Sequence, residues 1–473
     1  ISGQTINLTS GQLYTSYDDI VINGSGVTID AGGSSRVLYS YVTDLTLNNV
    51  TLTNGSIDGY GGGIASSYGD LTLNDSTITA NTASGEGGSG GGVYFGPADS
   101  SYNLDLTINA STISANTASN RGGGLAARTY GNVTINASTI SANTASRNGG
   151  LYAWVFGGAN VTVANSTISG NTASSYVGGL YIYSDQGDVT VSDSTITGNV
   201  ASGGYGGLLA TAEDAPDANV TVENTTIANN QAAYYAGAYL DTDEQGQTRV
   251  TNSTISGNTA SGDFAGLVVS SRYYDTNIGP EVIIEYTTVT GNTATGQNAG
   301  VALFGYDNSR QNIVASVISG NTAASDVDLF IDDGKIPGIA DMTFSLLGED
   351  PTTGTLNKDA VSTSLTGQNP VLGPLANNGG PTLTHLPGAS SPLLNAIPSG
   401  SAGCGVSITT DQRGESRPAE GACDIGSVEV QVNVLPPPAA VPTLNRLGML
   451  LMAGLLGLGA MLGWHRSERK RAG

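Results

Sequence analysis

The sequence predicts an all-β fold: a right-handed parallel β-helix of about eleven coils, with a small C-terminal cap domain and one C-terminal transmembrane helix. Three observations carry this. The letters STISGNTAS occur at residues 166–174 and again at 253–261, and STISANTAS occurs at 111–119 and 138–146, so one unit recurs along the chain. Aligned on its asparagine, that unit places Asn81, Asn116, Asn143, Asn171, Asn199, Asn230, Asn258, Asn292 and Asn321 in register, with gaps of 27 to 35 residues, the period of a solenoid. Inside a unit Val161 and Val163 alternate with Thr162, and Ile168 is flanked by Thr167 and Ser169. That period of two belongs to strands and excludes helical solenoids.

Composition agrees with a long, thin core. Of 473 residues only 38% are hydrophobic and 68 are glycine, a poor recipe for a compact multilayer globule. The formal net charge is −23 and Lys/Arg cluster only in the last few residues, so nucleic acid is excluded as a partner.

Residues 1–70 read as the N-terminal coils and 71–345 as the repeat β-helix. Each repeat opens with two short strands about a turn, and a third strand follows a glycine pair, as in GGLYAW from Gly149 and GGLYIY from Gly178. Stacked at about 4.8 Å per coil, equivalent positions lie above one another and identical letters become ladders. The asparagine is expected to take a positive φ at its turn while its amide bonds to the amide of the next coil. Asn-Xaa-Ser/Thr triplets such as Asn165-Ser166-Thr167 then read as turn residues rather than glycosylation sites.

The paired signatures, ISGN or ITAN alternating with GGL or GGGV, resemble the repeats of the polymorphic outer-membrane proteins and of the wider pectate-lyase-like β-helix superfamily. Downstream, residues 346–429 hold GPLANNGGPTLTHLPGASSPLLNA, TDQRGESRP and DIGSVE, which resemble the choice-of-anchor domain of bacterial surface β-helix proteins. The resemblance implies a cap over the open C-terminal edge of the solenoid. There Asp411, Arg413, Arg417 and Asp424 would form an ion-paired cluster. Cys404 and Cys423 read as a disulfide, the alternative being two reduced, buried thiols. A Pro-rich linker at 430–440 precedes residues 441–473, where VPTLN, an apolar run at 447–464 and a tail with Arg466, Arg469, Lys470 and Arg471 resemble an IPTL-type sorting signal of Gram-negative bacteria. That implies export, membrane attachment through the helix with its basic end in the cytoplasm, and a sorting or processing protease as partner. The β-helix would then lie at the cell surface, or be extracellular after processing.

Function rests on the outer face. Acidic residues collect just after the glycine-led strand, and three readings compete for them: a solvated rim, a calcium site at Asp241, Asp243 and Glu244, and a lyase or glycosidase centre using Asp185, Asp214, Asp241, Asp243 and Arg272. Aromatic residues are more patterned. With Leu151, Leu180 and Ala238 inward, Tyr152, Trp154, Tyr181, Tyr183 and Tyr239 face outward on one sheet, suited to a glycan, a protein ligand or self-association, or to plain stacking between coils. The leading reading is a non-enzymatic surface adhesin, matrix or coat component about 50 Å long; it requires no cofactor, and calcium enters only on the second reading of the acidic loops. The alternative is a surface polysaccharide lyase or hydrolase.

Overall fold

The computed structural model describes residues 2–96, 102–215, 217–243, 245–272, 281–305, 309–332, 339–358 and 363–431, with the side chain of Arg272 excepted. The chain divides into Ile1–Val430 and Gln431–Gly473, and the linker, sorting signal and apolar run of the second part lie outside the described residues. Among the described residues no helix is long and apolar enough to cross a membrane.

The first part is an all-β parallel solenoid of about eleven coils. One coil runs through Val161–Ala164, Thr167–Ser169, Thr172–Ala173 and Leu180–Asp185. The two-residue strand after the asparagine was not anticipated; it makes four strands per coil where three were expected. Each strand pairs in parallel with its equivalents in the neighbouring coils, letter on letter: Thr167 with Thr195, Ile168 with Ile196, Leu151 with Leu180. The strands gather into a long sheet of 25 strands, a short-stranded sheet of nine and a third sheet of twelve. Their inward residues, among them Val161, Ile168 and Leu180, are fully buried and join one core column. A one-residue slip would turn that column to solvent, which fixes the register.

The asparagine ladder is continuous, but its turn geometry differs from the expectation. The positive φ falls on the residue before each asparagine: 54° at Ala142, 62° at Gly170 and 63° at Gly198. The asparagines themselves, fully buried from Asn81 to Asn292, turn their amides inward along the stack. The Asn171 amide nitrogen donates to Asn199 Oδ1 at 2.9 Å and to the carbonyl of Ile140 at 2.9 Å. At the far end Asn321 donates instead to the carboxylate of Asp328, at 2.8 Å, and the column stops.

The C-terminal segment also departs from the expected place. Its first strands, Leu346–Leu347, Thr355–Lys358 and Leu365–Thr366, add the last rungs to the long sheet, and the remainder runs back along the flank of that sheet. Asn252 donates to the carbonyl of Thr410, Thr254 to Gln412, and Thr382 to the carbonyl of Asn224, while Ser427 bonds Thr288. The reason lies in the outward column of that sheet. Thr139, Thr167 and Thr195 are partly or fully exposed, whereas Thr226, Thr254 and Thr288 are buried and the column then turns apolar at Val317 and Leu346. These pack with Leu393, Ile397 and Ile425 of the segment in a second core. Cys404 and Cys423 form a disulfide within it. Arg413 pairs with Asp411 at 2.8 Å, but the buried Arg417 lies 4.1 Å over the ring of Tyr286 and donates to the carbonyls of Asp424 and Gly426. The Asp424 carboxylate accepts backbone N–H groups of Asn395 and Val430, and the carboxylate that pairs with Arg417 is that of Glu429, 3.8 Å away.

Candidate functional site

The site is built on the twelve-stranded sheet. In Leu151–Val155, Leu151, Ala153 and Val155 fill the core, which turns Tyr152 and Trp154 outward; in Leu180–Asp185 the same parity turns out Tyr181, Tyr183 and Asp185. The register sets Tyr152 beside Tyr181 and Trp154 beside Tyr183. Tyr152 and Tyr181 stack with centroids 5.2 Å apart and planes 16° from parallel, and Trp154 tilts against Tyr183 at 5.1 Å. Tyr239 does not join these four directly, because Leu209 occupies the column between it and Tyr181. It is reached through Tyr176, Tyr205 and Tyr235, which stand on the turn before the strand and stack in series.

Outward is not the same as exposed. Tyr152 is only 7% exposed, because the Arg121 guanidinium lies 5.0 Å over its ring and donates to its hydroxyl at 3.0 Å while Tyr181 covers it further. Burial pushes the phenols of Tyr152, Tyr181 and Tyr183 above the ordinary tyrosine range, and Glu213 beside Tyr183 adds to the effect there. All three are therefore neutral near pH 7, and Tyr183 donates to Glu213 Oε2 at 3.2 Å.

Three hollows run together along this face. One of 310 Å³ lies between Tyr94, Arg128 and Trp154, and one of 240 Å³ between Arg147, Asn148 and Tyr176; Arg121, Tyr152 and Trp154 wall both. A third of 450 Å³ continues past Tyr181 and Tyr183 to Tyr239 and Phe304, with Glu213 and Asp241 on its wall. Sequence reading missed Arg121, Arg128, Arg147, Tyr176 and the Tyr60 ring that stacks on Tyr94 at 4.5 Å. The available signal was the repeat period itself, since Arg121 and Asn148, the neighbour of Arg147, pair across adjacent coils.

The acidic residues divide. Asp185 is in register with Glu213, and Asp243 with the backbone of Arg272. Asp241 and Asp243 are 3% and 8% exposed, and Asp243 Oδ1 accepts the Asp214 N–H at 2.9 Å, holding the turn of the preceding coil. Glu244 lies outside the described residues. Among the described residues no three His, Cys, Asp or Glu side chains come together in a way that could hold a metal ion.

Residues 86–278 match the sequence profile of a family described as the right handed beta helix region, a span that holds the groove's lining apart from Tyr60 and Phe304. The chain is a right-handed parallel β-helix protein. No curated protein matches its sequence. In this β-helix the glycine-led strand supplies the outward rings and the turns on either side supply the walls.

Proposed function

We propose that this protein is an exported β-helix of the bacterial surface that holds glycans in the aromatic groove without turning them over, as an adhesin, matrix or coat component. One observation carries the reading: partly buried rings on consecutive coils line three connected hollows, so a chain of sugar rings finds flat apolar faces at the repeat of the protein itself. Trp154→Ala combined with Tyr181→Ala is expected to weaken glycan binding at least about tenfold, roughly 1.4 kcal/mol, with folding preserved. Unchanged binding alongside a large drop in melting temperature would make the rings a structural stack only.

Attachment is proposed through residues 441–473, with the sorting protease as partner. A chain ended after Pro438 is expected to appear in the soluble fraction with an unchanged β signal, because the solenoid and its flanking segment are complete by Val430. Retention of that chain on cells would sink this anchor. A second reading, a lyase or hydrolase, is favoured by Glu213 and Asp241 on the wall of the largest hollow. Release of oligosaccharides from a glycan library, lost in Asp241→Asn, would establish it.

A further inference from the structure

We infer that the two smaller hollows form an anion subsite, one that seats the carboxylate or sulfate ester of an acidic sugar while the neighbouring sugars lie over the tyrosines. This rests on the glycan reading above and names which glycan. The protein carries 16 Lys and Arg against 39 Asp and Glu, yet Arg121, Arg128 and Arg147 meet at these hollows, from two adjacent coils. No carboxylate lines either hollow, and none of the three arginines is in an ion pair among the described residues. Among the described residues only Arg121 of the three spends a side-chain hydrogen bond on the protein, to Tyr152, and Arg128 lies 5.3 Å over the ring of Phe156. Among the described residues these three cations have no carboxylate partner, so an anion entering the hollows would meet them without displacing one.

A second observation points the same way. Asn148 is 1% exposed and lines the 240 Å³ hollow, and its amide nitrogen has no hydrogen-bond partner; the indole nitrogen of Trp154, whose ring walls both hollows, has none either. Buried donors of this kind are rare in native structures and call for an acceptor. The guanidinium groups, the Asn148 amide nitrogen and the Trp154 indole nitrogen are donors, the serine and tyrosine hydroxyls around them can donate as well, and an oxyanion is all acceptor. Its source is a sugar rather than a free ion because the hollows open into the ring-lined groove. At its far end the groove carries Glu213 and Asp241, which disfavours a polymer charged on every ring. The fitting ligand has an acidic sugar followed by neutral ones.

The test compares four oligosaccharides of equal length by calorimetry: one carrying a single uronate, the same molecule with its carboxyl reduced to the alcohol, one carrying a single sulfate ester, and its desulfated form. The wild-type protein is expected to bind at least one acidic form about tenfold or more above its neutral counterpart, with the preference shrinking as salt rises. The stronger of the two identifies the anion. Arg128→Gln with Arg147→Gln, both exposed side chains whose loss leaves the core intact, should abolish the preference, so that the acidic form binds no better than its neutral counterpart. Equal binding of acidic and neutral forms, still weakened by Trp154→Ala with Tyr181→Ala, would overturn the anion subsite and keep the glycan groove. Binding of none of the four would overturn both.

Discussion

The side chain of Asn171 donates two hydrogen bonds, to Asn199 and Ile140, and accepts two, from the backbone and amide nitrogens of Asn143. All are buried, so truncation strands donors and an acceptor on both sides of one coil. Asn171→Ala is expected to cost about 2–4 kcal/mol, read from the midpoint of chemical denaturation. Gly170→Ala is the informative partner. Gly170 carries the positive φ, 62°, yet a Cβ there would meet nothing within 4 Å, and Ala142 already holds the same conformation one coil earlier. Its cost should be about 1 kcal/mol, the backbone preference alone. Equal losses for the two variants would mean that the amide column adds nothing beyond its turn. The sequence displayed the column plainly but not which residue bends, because the amide was credited with the turn as well as the ladder. The letters Ala, Gly and Asn before the recurring asparagine were the only trace, and two of those three residues have no intrinsic claim against a positive φ.

At the scale of the coil, the two signatures that announce the fold are halves of one contact. The second glycine of each pair lies against the asparagine amide of the next coil: a Cβ at Gly124 would sit 2.8 Å from the amide nitrogen of Asn143, and one at Gly179 would meet the carbonyl oxygen of Gly207 at 2.3 Å and crowd Asn199 at 3.2 Å. The first glycine is approached as closely, a Cβ at Gly123 meeting the carbonyl oxygens of Gly149 and Thr144 at 2.5 Å, yet in later coils Ala236, Ala265 and Ala299 take its place in a buried alanine cluster. Gly179→Ala is therefore expected to destabilise by more than about 2 kcal/mol, clearly above Gly170→Ala, with melting temperature as the readout. A milder effect than at Gly170 would show that coil spacing adjusts freely. Period and parity were readable because each recurs with every unit. The strand Thr172–Ala173 was not, since two residues cannot display a period. The groove was half readable for a related reason. Strand parity points Trp154 and Tyr181 outward from local letters alone, whereas the lid that Arg121 forms on Tyr152, and the meeting of Arg121 with Arg147, depend on which residues of different coils share a height.

At the scale of the whole β-helix, the segment after the last coil decides where the solenoid is held together. It binds the flank of several coils at once, over the column that runs from Thr226 to Leu346, so it joins stretches of chain that contact only their neighbours elsewhere. One of its pins is titratable. His385 Nε2 lies 2.8 Å from Ser256 Oγ, and Nδ1 lies 2.7 Å from the carbonyl oxygen of Gly373. A carbonyl can only accept, so Nδ1 carries the proton and Nε2 accepts from the serine: the neutral ring satisfies both contacts. Burial lowers the His385 pKa below the ordinary histidine value, against a smaller opposing effect of the Gly373 carbonyl. The unfolded chain thus takes up its proton first as pH falls. Stability from this group is full above the unfolded value of about 6.5 and declines as pH drops through the window between that value and the lower folded one. The protein has two histidines, and the other, His465, lies outside the described residues. For the chain ended after Pro438, which retains His385 alone, the melting temperature of His385→Gln should fall less between pH 7 and pH 5 than that of the parent, because glutamine keeps a neutral acceptor near Ser256 and does not titrate. Parallel pH profiles for the two chains would show that docking of this segment is indifferent to His385 and that any acid sensitivity belongs to the carboxylates.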